Sequence, residues 1–70
     1  DPKNFYRIDV RYANTSQAVV AKDFGAPDVV AQNGSWIYRN MRVYDFRAQR
    51  EMTTVEFRFL NGAVNLVLCY

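Results

Sequence analysis

The chain has no histidine. That removes the commonest general base and the commonest metal ligand. Its one cysteine, Cys69, excludes an internal disulfide and any thiolate zinc cluster. No run of about 20 apolar residues occurs, so no membrane-spanning helix is expected. Glycine is scarce: Gly25, Gly34 and Gly62 stand apart, each at a turn or cap, so no phosphate-cradling loop exists. Ser16, Ser35 and the threonines have no histidine to activate them, and the spacing of Lys3 and Lys22 gives no support for a lysine base. These absences argue against an enzyme and against a bound cofactor.

What is present is apolar and aromatic. Of 70 residues, 50% are hydrophobic and 16% aromatic, too rich for a disordered segment. The length suits one domain, residues 1–70, with residues 1–4 expected to be disordered. At this size folding buries only about 60% of the surface an unfolded chain exposes, so stability is marginal and a deep enclosed pocket is not expected. The chain opens on Asp1-Pro2, which either a removed leader or trimming would explain. Net charge is +2. Arg7, Arg11, Arg39, Arg42, Arg47, Arg50 and Arg58 are interleaved with Asp9, Asp45, Glu51 and Glu56, the pattern of a solvated face rather than a concentrated basic patch. The pairs Asp23/Asp28 and Glu51/Glu56 lie in no apolar setting that would separate their acidities, and read as solvated surface.

Along the chain, Ile8, Val10 and Tyr12 alternate with Arg7, Asp9 and Arg11, which predicts a half-buried strand over 5–12. Asn14 is placed to cap a helix, with Gln17 at the reach-back position. That helix runs to Phe24, presents Val20 and Phe24 on one face, and stops at Gly25 and Pro27. Residues 28–32 read as a brief strand or an extended linker, and Asn33-Gly34 as a turn. Residues 35–47 read as a strand with a bulge or break near Asn40 that either gathers or separates Trp36/Tyr38 and Tyr44/Phe46. Residues 48–51 read as a hairpin loop.

The clearest feature is Thr53–Leu60, then Asn61-Gly62, then a run of matching length to Tyr70. Asn-Gly is the preferred two-residue hairpin turn, because both central residues need positive φ. A regular ladder outward from it places Phe59 opposite Val64, Phe57 opposite Leu66 and Val55 opposite Leu68. The other face then pairs Arg58 with Asn65, Glu56 with Val67 and Thr54 with Cys69. The apolar face fits this register throughout. Cys69 falls on the outer face as a half-buried structural thiol. The expected fold is α+β: a short helix packed on one face of a three- to four-stranded antiparallel sheet.

Arginines beside aromatic rings (Tyr38-Arg39, Arg42-Val43-Tyr44, Phe57-Arg58-Phe59) have two functional readings. Single-stranded nucleic-acid binders combine stacking rings with cations. Protein interfaces are enriched in the same residue types. Phe57 and Phe59 belong to the core by register, and the strand lacks the glycine-bearing aromatic pattern of an RNA-recognition strand, which favours the protein interface. Trp36, Tyr38, Tyr44 and Phe46 are its expected anchors, with Arg39, Arg42 and Arg58 as orienting charges. A homodimer joined through an edge strand is a third reading, which would supply burial that a small domain lacks.

Residues 10–68 also carry a pattern: a capped helix into Phe24-Gly25-Ala26-Pro27-Asp28, the strand Ser35-Trp36-Ile37-Tyr38-Arg39, and Thr54-Val55-Glu56-Phe57-Arg58-Phe59-Leu60-Asn61-Gly62-Ala63-Val64. This resembles the SmpA/OmlA (BamE) family of small envelope lipoproteins, and is similar in architecture to the β-lactamase inhibitor proteins. The resemblance implies helices on one face of a three-stranded antiparallel sheet, no catalysis, a periplasmic or outer-membrane-associated location, and a protein partner. The family often places two helices before the sheet, where one is read here. Its lipid-bearing N-terminal Cys is not among these residues.

Overall fold

Asn4 opens the first helix. Its side-chain oxygen accepts from the Arg7 amide at 3.4 Å, the position of an N-cap, in a computed structural model that describes residues 4–70. The helix α1 (Phe5–Tyr12) occupies the segment expected to be a strand. Phe5, Ile8 and Tyr12 are three and four residues apart and all reach the core, whereas Val10, which the alternating pattern places with Ile8, is 63% exposed. The segment satisfies both periods on paper; the helix wins because Asn4 caps its start and Asn14, at φ 63°, ends it in the left-handed conformation. Asn14 therefore stops α1 rather than starting the second helix.

Ser16 caps α2 (Gln17–Phe24) instead, its hydroxyl accepting from the Val19 amide at 3.3 Å. The stop is where the sequence places it: the Gly25 amide donates to the Ala21 carbonyl at 2.8 Å, and Gly25 has φ 79°. Val20 is buried, and the Phe24 ring lies 5.5 Å from that of Phe57, as expected.

Four strands form one antiparallel sheet in the order β1 (Val29–Val30), β2 (Trp36–Tyr38), β5 (Val55–Leu60) and β6 (Ala63–Cys69). A separate two-stranded ribbon pairs β3 (Val43–Asp45) with β4 (Arg50–Met52). The ambiguous segment after Pro27 is thus a short strand, and Asn33-Gly34 lies in the loop that returns it to β2. The break expected near Asn40 is real: Asn40 has φ 56°, and the chain leaves one sheet for the other. The ribbon's turn spans 46–49, with Gln49 left-handed, so Arg50 and Glu51 belong to β4 rather than to the loop.

The β5–β6 hairpin turns at Asn61 and Gly62, φ 53° and 78°, with Leu60 opposite Ala63 and Phe59 opposite Val64. Beyond that point the expected register fails. A bulge lets Arg58 face Leu66, so Phe57 faces Val67, Glu56 faces Leu68 and Val55 faces Cys69. Leu66, Val67 and Leu68 are all apolar, so hydrophobicity alone did not exclude the slip. Val64 stays inward as expected; the bulge turns Val67 inward, moves Leu66 and Leu68 to the outer face, and packs the half-buried Cys69 against the core. Burial, with Asp45 and Asp9 adding, pushes the Cys69 thiol up to about 12. It stays protonated, and a thiol in that state is a poor nucleophile.

The core lies between the sheet's inner face and both helices. Phe57 is its centre, its ring 5.9 Å from Tyr12, 5.5 Å from Phe24 and 5.8 Å from Tyr38. Tyr12 joins the helices by donating to the Asp23 carboxylate at 2.7 Å, and burial followed by that carboxylate raises its hydroxyl to about 12. The segment between the helices also pairs with β6: Asn14 donates to the Val64 carbonyl at 2.9 Å, and Val64 donates to that of Thr15 at 2.7 Å. Farther along, the ladder's alternation turns the Val67 backbone away from β5, yet Val67 is buried, with α1 alongside. On this side α1 shields the edge of the sheet.

Candidate functional site

The seven residues expected to form one patch fall in four places. Tyr38 is 4% exposed, a core residue whose hydroxyl donates to the Gly25 carbonyl at 2.9 Å. Its register opposite Val55 on the inner face leaves it no surface to offer, which corrects its assignment as an anchor. Trp36 lies half-buried on the same face, edge-on to Phe59 at 5.1 Å. Arg39 uses its backbone amide to hold Asp28, at 2.6 Å. Arg58 projects from the opposite face of the sheet, where its Nε donates to Glu56 at 2.9 Å.

Arg42, Tyr44 and Phe46 do come together, on the ribbon. Alternation along β3 buries Val43 and Asp45 and turns Tyr44 outward. Tyr44 and Phe46 pack edge to face, ring centres 5.1 Å apart, and remain 38% and 50% exposed. Glu51, directly across from Tyr44, receives Arg42: Nε reaches both carboxylate oxygens at 3.3 and 3.2 Å, and Nη2 reaches one at 3.2 Å. An exposed pair of this kind adds little stability, but several contacts fix the guanidinium plane.

The turn beneath these rings is held on two sides. Buried Asp45 accepts from the amides of Arg47 and Ala48 at 2.9 and 3.3 Å, forming an Asx turn. The Arg47 guanidinium lies over the Phe5 ring at 5.6 Å, which ties the turn to α1. Asn4 bridges to Tyr44 along the ribbon's edge. The exposed rings therefore sit on a scaffold whose conformation is set before any partner arrives.

Of the carboxylates read as solvated surface, Asp23, Asp28 and Glu51 are exposed, as expected, while each accepts a hydrogen bond. Asp23 accepts from Tyr12, Asp28 from Arg39 and Glu51 from Arg42. Glu56 is buried although it lies on the outer face, accepting from Arg58 Nε at 2.9 Å and from the Tyr70 hydroxyl at 2.8 Å. These two hydrogen bonds, Arg58 first, hold its carboxyl below the usual range, and the Ser35 hydroxyl adds to the effect. A depressed folded-state pKa contributes stability above the ordinary carboxyl value and loses it as pH falls through the folded value. The melting temperature is therefore expected to drop as pH falls from about 6 to about 3, and to drop less in Glu56→Gln. Parallel melting curves for the two proteins over that range would contradict this role.

Sequence reasoning missed two features. One is Glu51 as the fixed partner of Arg42, which follows from the β3–β4 register. The other is the apolar outer face of the sheet, which follows from the bulge. Among the described residues no three His, Cys, Asp or Glu side chains are placed to hold a metal ion, and no helix is long and apolar enough to cross a membrane. No family model, curated protein or solved structure matches this chain.

Proposed function

We propose that this chain is a non-enzymatic protein-interaction module of the bacterial cell envelope, docking its partner through the exposed face of the β3–β4 ribbon. The observation that carries the reading is the Tyr44–Phe46 pair: two large rings, packed on each other and half in water, on a turn braced by Asp45 and Arg47. Aromatic and arginine side chains supply most interface hot spots, and a preorganised turn lowers the ordering cost of binding. Arg42, its plane set by Glu51, supplies direction at the rim of the two rings. The envelope location rests on the sequence resemblance. Two helices precede the sheet and pack on one of its faces, as in the pattern that the resemblance implies, although the sheet has four strands rather than three and is joined by a separate ribbon.

The test is photo-crosslinking in the producing cells. A photoreactive phenylalanine analogue at position 46 is expected to capture one protein, and the same analogue at the exposed Gln32 is expected to capture none. Tyr44→Ala is expected to weaken binding of the captured protein by about 2 kcal/mol, roughly thirtyfold, while far-ultraviolet circular dichroism stays unchanged. Capture that is equal at both positions, or binding that survives Tyr44→Ala, would remove the ribbon as the docking surface.

A further inference from the structure

The charges are not spread evenly over the fold. Nine Lys and Arg against seven Asp and Glu leave a net charge of +2. Arg7, Arg42, Arg47 and Arg50 against Asp45 and Glu51 account for all of it, because the other five cations are balanced by the other five carboxylates. These residues lie on the β3–β4 ribbon and on the first turn of α1, which meet twice: Asn4 bridges to Tyr44, and Arg47 covers Phe5. Burial then takes one carboxylate out of play. Asp45 is 8% exposed, and its Oδ1 accepts from two turn amides. Arg50 stands directly across from Asp45 in the ladder, yet it is exposed. Neither Arg50 nor the exposed Arg7 makes an ion pair among the described residues. The one exposed carboxylate, Glu51, is taken up by Arg42. The Tyr44–Phe46 pair thus lies between Arg42 and a turn that carries Arg47 and Arg50, with positive charge left unanswered.

We infer that the partner docking on the ribbon presents an acidic protein segment, its carboxylates meeting Arg7, Arg47 and Arg50 beside an apolar side chain that lies against Tyr44 and Phe46. The inference rests on the ribbon being the docking surface, as proposed above. Charge complementarity selects the occupant: unpaired exposed guanidiniums attract and orient an acidic surface and repel a basic one. An arginine fork receives a carboxylate or a phosphate equally well, and the rings separate the two. Bases of a single strand stack on successive aromatic faces. Tyr44 and Phe46 stand at 78° to each other with centres 5.1 Å apart, so the edge of one closes on the face of the other. Such a pair offers no two parallel faces to consecutive bases. An apolar side chain makes no such demand.

Fluorescence anisotropy of the full chain with three labelled probes decides it: a Glu-rich peptide with one central Phe, the same peptide with Gln for Glu, and an oligothymidylate of equal length. The Glu peptide is expected to bind at least about tenfold more tightly than either other probe at about 50 mM salt. Arg50→Glu is expected to weaken it by about fivefold or more, and Lys22→Glu, the same change of charge on the exposed side of α2, to leave it unaltered. Arg7→Glu replaces Arg50→Glu should that variant lose its circular-dichroism signal, since a carboxylate is well tolerated in the first turn of a helix. Equal binding of the two peptides, equal losses in Arg50→Glu and Lys22→Glu, or no binding of the Glu peptide at about 1 mM protein overturns the inference. Tighter binding of the oligothymidylate also overturns it, in favour of a nucleic acid. The ribbon reading fails separately, when the photoreactive group at position 46 captures no more than at Gln32. Capture at position 46 alone, through a stretch of partner without Asp or Glu, keeps the ribbon and overturns the acidic segment.

Discussion

Phe57→Ala is expected to destabilise the chain by about 3–5 kcal/mol at 25 °C. Phe57 is fully buried at the centre of the core, with the rings of Tyr12, Phe24 and Tyr38 packed around it. Truncating a buried phenylalanine costs about 3–5 kcal/mol, through lost transfer energy and the cavity left behind. A chain of 70 residues has roughly 4–10 kcal/mol of stability in total, on the usual scale of 0.05–0.15 kcal/mol per residue. The loss is thus at least about a third of the whole. It also removes three ring contacts at once, and these join both helices to the sheet. Urea unfolding followed by Trp36 fluorescence and by far-ultraviolet circular dichroism measures it. A loss below about 1 kcal/mol would mean that Phe57 is not the centre of the core.

Ile8→Ala is expected to cost about 2–5 kcal/mol, whereas Val10→Ala changes stability by less than about 0.5 kcal/mol. The two residues are both β-branched and stand two positions apart. On a strand they would share one face and give similar losses. On α1 they diverge, because Ile8 lies beside Phe5 and Tyr12 in the core while Val10 points to water. The comparison therefore tests the conformation of the segment as well as its packing. Equal losses at the two positions would restore the strand and remove α1.

The parts legible in the sequence are those specified by neighbouring residues. Gly25 followed by Pro27 ends α2 wherever the rest of the chain lies, because continuing the helix requires an amide that Pro27 lacks. Asn61-Gly62 turns the hairpin because the two residues best suited to positive φ stand together between two apolar runs. From these alone came the class of fold, a helix on one face of an antiparallel sheet, and the meeting of Val20 and Phe24 with that sheet. The site was legible in part. Arg42, Tyr44 and Phe46 share one parity on and beside β3 and end together, whereas Trp36 and Tyr38 share that parity but lie beyond the break at Asn40, in the other sheet.

Segments that fit two patterns equally well were settled by packing. Phe5–Tyr12 matches both the helical and the extended period; the caps at Asn4 and Asn14 favour the helix, and packing against β6 buries its Phe5, Ile8 and Tyr12 face. Leu66, Val67 and Leu68 are interchangeable in hydrophobicity, so the bulge that points Val67 inward was decided by what fits around Phe57. The same shift brought Leu66 and Leu68 to the outer face beside Glu56 and Arg58. Local stereochemistry, encoded residue by residue, determined where this chain bends and where its helices stop. Which apolar residues are hidden and which are left to meet another molecule depended on volumes brought together from distant parts of the chain, and only the assembled tertiary structure sets those.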